Sequence, residues 1–335
     1  MRYISARVAE LIIVFVGLSV LIFVLSRILP GDPVRYALGP GATPQQIQQM
    51  TTEMGFDRPI WEQYFILMHG MASGNFGTSL VTHRPIAGDM FTFIPATIEL
   101  ALFALFLSVV LGVGLGMAAA VYRGRWQDQV IRLCAFCAVA LPAFWLAILL
   151  QQNLSFQAGL LPAFGRLPAS MTPPLHITGL YLVDSLMTLD FVRFASSLSH
   201  IFLPALVLAA SPTAMILRLV RASMVEQMAK DFTVAAEANG MPQGILVTKY
   251  VLRNSFSATL TIVGLLVGYF IGNAFLVETV FSWPGIGRFG VRALQFKDFN
   301  AIIAVTLFVG LAYGVTNTLV TVLYGWLDPR LRLSR

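Results

Sequence analysis

Charged side chains are scarce in this sequence: only 11% of its 335 residues are Asp, Glu, Lys or Arg, whereas 57% are hydrophobic. The mean hydropathy is accordingly high, at +0.77. This balance argues against an ordinary soluble domain and indicates a membrane protein. The net charge of +6 is spread along the chain and forms no basic patch, so nucleic acid is not an expected partner.

Groups that carry chemistry are also few. The two cysteines, Cys134 and Cys137, lie in the apolar run LCAFCAVALPAFWLAILL. A tetrahedral zinc site needs four ligands, and all four histidines lie elsewhere, so we expect packing and no metal site. The sequence contains no H-E-x-x-H or G-x-S-x-G motif, which disfavours a membrane-embedded enzyme. It also contains no G-x-x-x-x-G-K-[ST] phosphate loop, so we do not expect this chain to hydrolyse ATP.

Ionisable residues are nearly absent from the apolar runs. Glu99 and Glu278 lie near one set of ends, and Arg132 and Arg218 near the other. A proton-driven carrier usually has carboxylates or histidines deep in the membrane. The pattern therefore favours a passive pathway, or a pathway powered by another chain. A receptor or scaffold is disfavoured because no signalling domain follows the apolar runs.

What the sequence does contain is six apolar stretches, each about 20 residues or longer, the length that a membrane-spanning helix requires. They cover approximately residues 8–28, 96–121, 130–151, 200–221, 257–281 and 301–325. The first resembles a signal peptide but is too long and has no A-x-A site, so we predict an uncleaved span. Residues 175–189 are a weaker seventh candidate, short and interrupted by Asp184. The expected fold is an all-α polytopic membrane protein.

Basic residues predict its orientation. If the N-terminus is cytoplasmic, 13 of the 22 Lys and Arg residues lie on cytoplasmic segments or inner helix ends. Their density is then about three times that of the opposite side, as the positive-inside rule requires. Both termini are therefore predicted to be cytoplasmic. The chain divides into an N-terminus with the first span (1–28), an extracytoplasmic segment (29–95) and a core domain (96–335). The core contains an extracytoplasmic loop, 152–199, and a cytoplasmic loop, 222–256.

The extracytoplasmic segment has helix signals of its own. Thr43-Pro44-Gln45-Gln46 forms a capping box, and Gly55 suits the residue that ends the helix. Pro59 then opens a second predicted helix, IWEQYFILMHGM. We therefore expect a small folded helical cap on this face.

Small residues recur every four positions on two predicted spans. Association of helices in lipid depends on close backbone approach through such residues. Tight packing alone and helix sliding during transport are both consistent with this pattern. The positions are Ser108, Gly112 and Gly116, between Ala104 and Ala120, and Gly264, Gly268 and Gly272.

The cytoplasmic loop carries a further amphipathic pattern. Met224, Met228, Phe232 and Ala236 follow one another at a spacing of four, which predicts one apolar stripe on a helix. Gly240 suits the end of that helix, and Pro242 the first turn of the next. A helix this short needs packing partners. They lie either on this protein's own inner face or in a groove on a partner.

The chain resembles, over nearly its whole length, the membrane-spanning permease subunits of bacterial ABC importers of the peptide/nickel type, which are similar to dipeptide permeases. The motifs that carry this resemblance are LPGDPV (29–34), TPQQIQQMTTEMGFDRPIWEQYF (43–65), GNFGTS (74–79), FSWPGIGR (281–288) and LYGWLDPRLR (323–332). The resemblance implies the type I importer permease fold in a bacterial inner membrane. It also implies import and not export.

The same resemblance identifies the loop around DFTVAAEANG as the coupling loop, called the EAA loop, that contacts an ATPase. Its coupling residues would be Met228, Asp231, Phe232, Ala235, Ala236 and Gly240, while Val234 stands where the usual pattern has Glu. The implied partners are a homologous second permease, two ATPase subunits that bind ATP and Mg²⁺, and a periplasmic solute-binding protein. The implied substrates are dipeptides or small oligopeptides; nickel chelates, glutathione and other peptide-like solutes are the alternatives.

Polar groups within the spans are candidates for the translocation path. Asn273 and Asn317 either line the path or form hydrogen bonds between helices, and Tyr269 is a candidate for a gate.

Overall fold

The computed structural model describes residues 2–28, 34, 38, 41–53 and 55–327. Within these residues the chain is helical and has no strand beyond one isolated bridge between Thr78 and Pro85. Residues 29–33 of the LPGDPV motif and the basic residues of the C-terminal tail lie outside the described part.

The six predicted spans correspond to five long helices and one bent pair. The long helices are α1 (Arg2–Ile28), α4 (Ile86–Val121), α8 (Phe191–Met228), α11 (Leu252–Val280) and α13 (Phe299–Leu327). Five helices of the described chain are long and apolar enough to span a membrane, and the number is six if the bent pair crosses it as one span.

The third predicted span, 130–151, is not one straight helix. Residues Trp126–Ala140 form α5 and residues Ala143–Leu150 form α6, and the two helices are bent by 109° at the break. The break falls at Pro142, which has no backbone N–H to donate and so cannot continue a helix. A π-helical turn, Gln151–Gln157, extends α6.

Several spanning helices extend beyond their apolar cores. α4 begins at Ile86, where the sequence predicted the extracytoplasmic segment to continue to residue 95. α8 begins at Phe191 and runs through Pro204 and Pro212 without interruption. Helices of this length project from the hydrocarbon layer and carry the connecting segments with them.

Short helices lie between the spans. α2 (Pro44–Glu53) and α3 (Ile60–Ala72) form the predicted pair in the segment after α1, and α7 (Tyr181–Met187) lies in the loop before α8. The loop predicted to be cytoplasmic contains α9 (Asp231–Ala238) and α10 (Gln243–Ile245), and α10 continues through a π-helical turn, Leu246–Val251, into α11. α12 (Ile286–Gln295) precedes α13. The seven-residue length of α7 confirms that 175–189 is not a span.

The predicted capping box is confirmed. The backbone N–H of Thr43 donates to the side chain of Gln46 at 2.9 Å, and the N–H of Gln46 donates to Thr43 Oγ1 at 3.3 Å. Gly55 has a φ of +68° where the chain leaves α2, the left-handed conformation expected of a residue that ends a helix.

The main core lies where α4, α8 and α11 pack together. Fully buried side chains there include Ile201 of α8, Phe270 of α11, and Trp283 after α11. A second buried cluster joins α12 and α13 to the beginning of α4. α1 packs along α13, where Leu18 and Leu11 lie against Gly310 and Gly314.

Candidate functional site

The chain changes direction between α8 and α9. α8 ends at Met228, and Lys230 adopts an extended conformation (φ −80°, ψ 150°), so α9 starts as a separate helix. The predicted stripe of Met224, Met228, Phe232 and Ala236 is therefore wrong, because spacing of four aligns side chains only along one unbroken helix. Met224 is buried in the core, whereas Phe232 is 39% exposed.

α9 ends in a hydrogen-bonded cap. The N–H of Gly240 donates to the carbonyl of Glu237 at 2.9 Å, and the N–H of Met241 donates to the carbonyl of Ala236 at 3.1 Å. Gly240 has a φ of +78°. This pair of bonds with a left-handed glycine is the Schellman motif. It turns the chain from α9 into Pro242 and α10.

One face of α9 is held against the membrane domain. Thr233 is buried, and its hydroxyl donates to the carbonyl of Gln227 at 2.8 Å, across the corner between α8 and α9. Met228 is half-buried and packs against the main core. α9 also packs on the π-helical turn that leads into α11. The short helix is therefore tied to two spanning helices at once.

The rest of α9 is largely exposed. We call Phe232, Val234 and Ala235 of α9, together with Ile245 of α10, the coupling surface; Val234 is 58% exposed and Ile245 48% exposed. Asp231 is exposed at the first turn of α9, where its negative charge interacts favourably with the helix dipole and stabilises the helix. Of the other residues that the resemblance assigned to coupling, Ala236 is half-buried and Gly240 is exposed.

A buried ion pair braces the same end of α8. The guanidinium of Arg221 donates to both carboxylate oxygens of Asp128, at 2.8 and 2.7 Å, and Asp128 is 1% exposed. The N–H of Gly124 and the side chain of Arg132 also contact this carboxylate, at 3.1 and 3.3 Å. The pair joins α5 to α8 about two turns before the corner. Sequence reasoning missed it, because 93 residues separate the partners and no spacing pattern marks them.

The small residues of α4 lie against α8. A Cβ atom at Gly112 would lie 2.7 Å from Ile216 Cβ, and one at Gly116 would lie 2.9 Å from the carbonyl oxygen of Leu217. The hydroxyl of Ser108 donates to the carbonyl of Ala104 at 2.7 Å, within α4. All three small residues are buried, so the backbones of α4 and α8 approach closely along this row.

The glycines of α11 do not form one packed row. A Cβ atom at Gly268 would lie 2.7 Å from the Tyr313 ring of α13, but one at Gly272 would meet no atom within 4 Å. Gly264 is half-buried. No atom of the described chain packs at Gly272, so its role in helix packing stays a prediction.

The three candidates for the path are exposed but do not share one surface. Tyr269 is 38% exposed on α11, and Asn273 is exposed and donates to the Tyr269 carbonyl at 2.9 Å. Asn317 instead lines a groove between α13 and α1, together with Arg7 and Glu10. Tyr269, Gly272 and Asn273 form an exposed stretch of α11. Within the described chain, a Cβ atom at Gly272 would meet no other atom within 4 Å.

Two buried carboxylates organise the opposite end of the core. Glu99 pairs with Arg166 and accepts a hydrogen bond from the N–H of Leu182 at 2.7 Å. The guanidinium of Arg166 also lies 3.5 Å from the centre of the Tyr181 ring. The sequence placed Glu99 near the end of a span but gave no sign of this partner. The pair anchors the loop between α6 and α8 to α4.

Glu278 forms the second cluster. It is completely buried and accepts hydrogen bonds from the Thr97 hydroxyl at 2.6 Å and the Arg288 N–H at 2.9 Å. A Cβ atom at Gly285 would collide with its carboxylate. The carboxylate thus joins α4, α11 and the beginning of α12, which explains why the FSWPGIGR segment has glycine at that position.

The loop before α8 is ordered by Asp184. Its carboxylate accepts the N–H groups of Thr178 and Gly179 at 2.8 and 2.9 Å. Burial raises the pKa of Asp184, but these hydrogen bonds and one from the Thr178 hydroxyl outweigh that effect and hold its pKa below the ordinary value. Asp190 accepts from the N–H of Arg193 at the start of α8 and pairs with its side chain. Both aspartates thus have partners within this chain.

Cofactor ligands are sparse. Among the residues that the structure describes, no three His, Cys, Asp or Glu side chains are grouped closely enough to hold a metal ion. Cys134 and Cys137 are free and exposed on α5.

Comparison with known proteins agrees with this architecture. Residues 112–333 match the family described as "Binding-protein-dependent transport system inner membrane component", and residues 1–101 match the N-terminal region of such components. A probable D,D-dipeptide transport system permease of Escherichia coli is 36% identical over 96% of this chain and 94% of its own length. A dipeptide transport system permease of Alkalihalophilus pseudofirmus is 36% identical over 99% of both chains. A glutathione transport system permease of Escherichia coli is 32% identical over 99% of both chains. The chain therefore belongs to the family of binding-protein-dependent transport system inner membrane components, the multi-pass permease subunits of bacterial ABC importers, which are not enzymes.

Proposed function

We propose that this chain forms one half of the translocation path of an ATP-driven importer for dipeptides or small oligopeptides. The observation that carries the proposal is the coupling surface, a group of exposed apolar side chains on α9 and α10, where α9 is held in place by two spanning helices. Full-length similarity to dipeptide permeases supports the choice of substrate.

In this proposal the coupling surface docks in a groove of an ATPase subunit, with the Phe232 ring as its largest apolar contact. ATP and Mg²⁺ bind to the ATPases and not to this chain. Because α9 follows α8 directly and packs on the turn that begins α11, movement of the ATPase shifts both helices as one body. Alternating access then follows from rocking of this chain against a homologous second permease.

Two further assignments belong to this proposal. The excess of basic residues on the α9 side supports a cytoplasmic location for both termini and for the coupling surface. The loop anchored by Glu99 and Arg166 then faces the periplasm, where a solute-binding protein delivers the peptide. The open stretch of α11 around Tyr269 and Asn273 faces the second permease, which completes the path.

Gly240 provides the test of coupling. At a φ of +78°, a β-branched residue is disfavoured by about 1–2 kcal/mol. Gly240→Val is therefore expected to disturb the cap of α9. In proteoliposomes that contain the complete importer, we expect ATP hydrolysis to continue while uptake of labelled dipeptide falls.

Gly244→Val is the matched control. Gly244 lies in α10, has no left-handed φ, and a Cβ atom there meets nothing within 4 Å. This variant is expected to retain coupled uptake. Wild-type uptake in Gly240→Val, or equal losses in both variants, would contradict the role of α9.

Glutathione is the second candidate substrate, because a glutathione permease is similar over the full length. Competition separates the two substrates. If the first assignment is correct, excess unlabelled dipeptide should suppress uptake of the labelled substrate, and excess unlabelled glutathione should not. The reverse result would assign the importer to glutathione without affecting the coupling mechanism.

A further inference from the structure

α3 is mostly apolar, yet none of its residues is buried. Its sequence, IWEQYFILMHGMA, has Glu62, Gln63 and His69 as its only strongly polar side chains. Trp61 is 66% exposed and Phe65 65% exposed. An apolar helix face of this size requires cover from protein or lipid, and the described part of the chain leaves Trp61 and Phe65 without it.

The contacts of α3 place it alongside α1. The hydroxyl groups of Tyr64 and Ser19 are 2.8 Å apart, and the rings of Tyr64 and Phe23 are 5.4 Å apart and meet edge to face. Ser19 and Phe23 are buried beneath this contact. The extracytoplasmic cap that the sequence predicted therefore does not stand clear of the spans, because one of its two helices lies against the side of α1.

The depth of this contact follows from helix geometry. The apolar stretch of α1 runs from Ala9 to Ile28, 20 residues. At 1.5 Å per residue it is about 30 Å long, which matches the hydrocarbon layer. Ser19 lies nine residues before Ile28, about 13 Å along that axis. Tyr64 thus reaches Ser19 well within the apolar stretch.

The start of α3 lies at the polar end of the same stretch. The guanidinium of Arg27 lies 4.5 Å from the centre of the Phe56 ring, just before α3 begins. Arg58 and Glu62 form an ion pair at the first turn of α3, 3.1 Å between nitrogen and oxygen. The charged groups of this region are therefore near the end of α1, and Tyr64 of α3 lies closer to its middle.

We propose that α3 is embedded in the outer leaflet beside α1 and that Trp61 and Phe65 pack against acyl chains. Lipid is the occupant that fits, because at the same level of α1 the side chains of Val20, Leu21 and Val24 are also exposed and apolar. Tryptophan at the edge of a hydrocarbon layer and an apolar helix lying in one leaflet are both established features of membrane interfaces. The proposal does not depend on which solute is imported.

Site-directed spin labelling of the complete importer in phosphatidylcholine–phosphatidylglycerol nanodiscs tests this assignment. Cys134→Ser and Cys137→Ser remove the exposed cysteines. A nitroxide is then attached in Phe65→Cys, in Leu21→Cys as a lipid-facing control, and in Ser170→Cys as a water-facing control. Leu21 is 57% exposed on α1, and Ser170 is exposed in the loop between α6 and α7.

Collision with oxygen reports lipid, and collision with a nickel chelate reports water. We expect the oxygen-to-nickel ratio at Phe65 to match that at Leu21 and to exceed that at Ser170 several-fold. A ratio equal to that at Ser170 would overturn the proposal, because α3 would then stand in water. Low collision with both reagents would also overturn it, because a second permease or a binding protein would then cover α3.

Trp61 supplies a second measurement if the labelled variant does not assemble. The fluorescence of Trp61 is obtained as the difference between the wild-type complex and Trp61→Phe. Lipids brominated on their acyl chains should quench that difference several-fold. Lack of quenching would contradict the embedded position.

Discussion

Substitution of Gly116 by alanine measures how closely α4 and α8 must approach. A Cβ atom there lies 2.9 Å from both the Leu217 carbonyl oxygen and Val220 Cβ. Carbon atoms prefer separations of about 3.5–4.0 Å, so the helices must move apart by about 0.5–1 Å. One obstructing atom belongs to the backbone and the other to the root of a side chain. Rotation of a side chain therefore cannot relieve the overlap.

Gly114 provides the matched control on the same helix. A Cβ atom at Gly114 meets nothing within 4 Å. Replacing glycine by alanine within a helix favours folding by about 1 kcal/mol, and this term cancels when the two variants are compared. Overpacking typically costs about 1–3 kcal/mol. Gly116→Ala should therefore be about 1–3 kcal/mol less stable than Gly114→Ala, and Gly112→Ala should change in the same direction.

The assay is thermal unfolding of the purified importer in nanodiscs, combined with dipeptide uptake in proteoliposomes. In soluble domains, a loss of 1 kcal/mol in the free energy of unfolding lowers the melting temperature by about 2–4 °C. Gly116→Ala should therefore melt several degrees below Gly114→Ala. Equal melting temperatures together with equal uptake would refute the close approach. Equal melting with reduced uptake in Gly116→Ala alone would indicate that the row serves sliding and not static packing.

Three further predictions concern the other contacts. Arg221→Met leaves Asp128 with only Arg132 and the Gly124 N–H as partners, so the free energy of unfolding should fall by about 1–3 kcal/mol, and adding Asp128→Asn should recover part of it. Equal melting of the single and double variants would contradict this. Gly268→Leu should lower the yield of assembled importer through overlap with the Tyr313 ring, and Tyr313→Ala should restore it; a normal yield in the single variant would show that the exposed ring moves aside. Because the pKa of Asp184 is lowered on folding, its stabilising contribution is complete above the unfolded value of about 3.9 and is lost as the pH falls through the lower folded value. Asp184→Asn should therefore melt below the wild type at pH 7, and this difference should shrink in acid; a difference independent of pH would contradict the role of the ionised carboxylate.

The sequence predicted those features that depend on neighbouring residues. Apolar length identifies the spans, because every backbone polar group in lipid must be paired within its own helix. The capping box at Thr43 and the helix end at Gly240 depend on hydrogen bonds between residues close in sequence. A short sequence motif therefore predicts each of them. The small-residue row of α4 was equally visible, although its spacing did not reveal that α8 is the helix it meets.

Features that depend on distant contacts were not predictable. The pairs Asp128–Arg221 and Glu99–Arg166 form only after folding, and each joins residues that no motif connects. The stripe through Met228 and Phe232 was misread because an extended residue at Lys230 interrupts a pattern that periodicity alone continues. The position of α3 was hidden for a similar reason: its apolar residues show that it needs cover, but only Tyr64 and Ser19 show where it lies.

α8 is long enough to connect the coupling surface with the loop on the opposite side of the protein. Its 38 residues extend about 57 Å, almost twice the hydrocarbon thickness of about 30 Å. Asp190 caps one end of this helix, whereas Arg221 braces it near the other end, where α9 follows. Along most of its length it packs on α4, which Glu99 joins to the loop between α6 and α8. We therefore expect a displacement of α9 to move α8 and α4 together, and with them the loop on the opposite face, as the proposed rocking of two permeases requires.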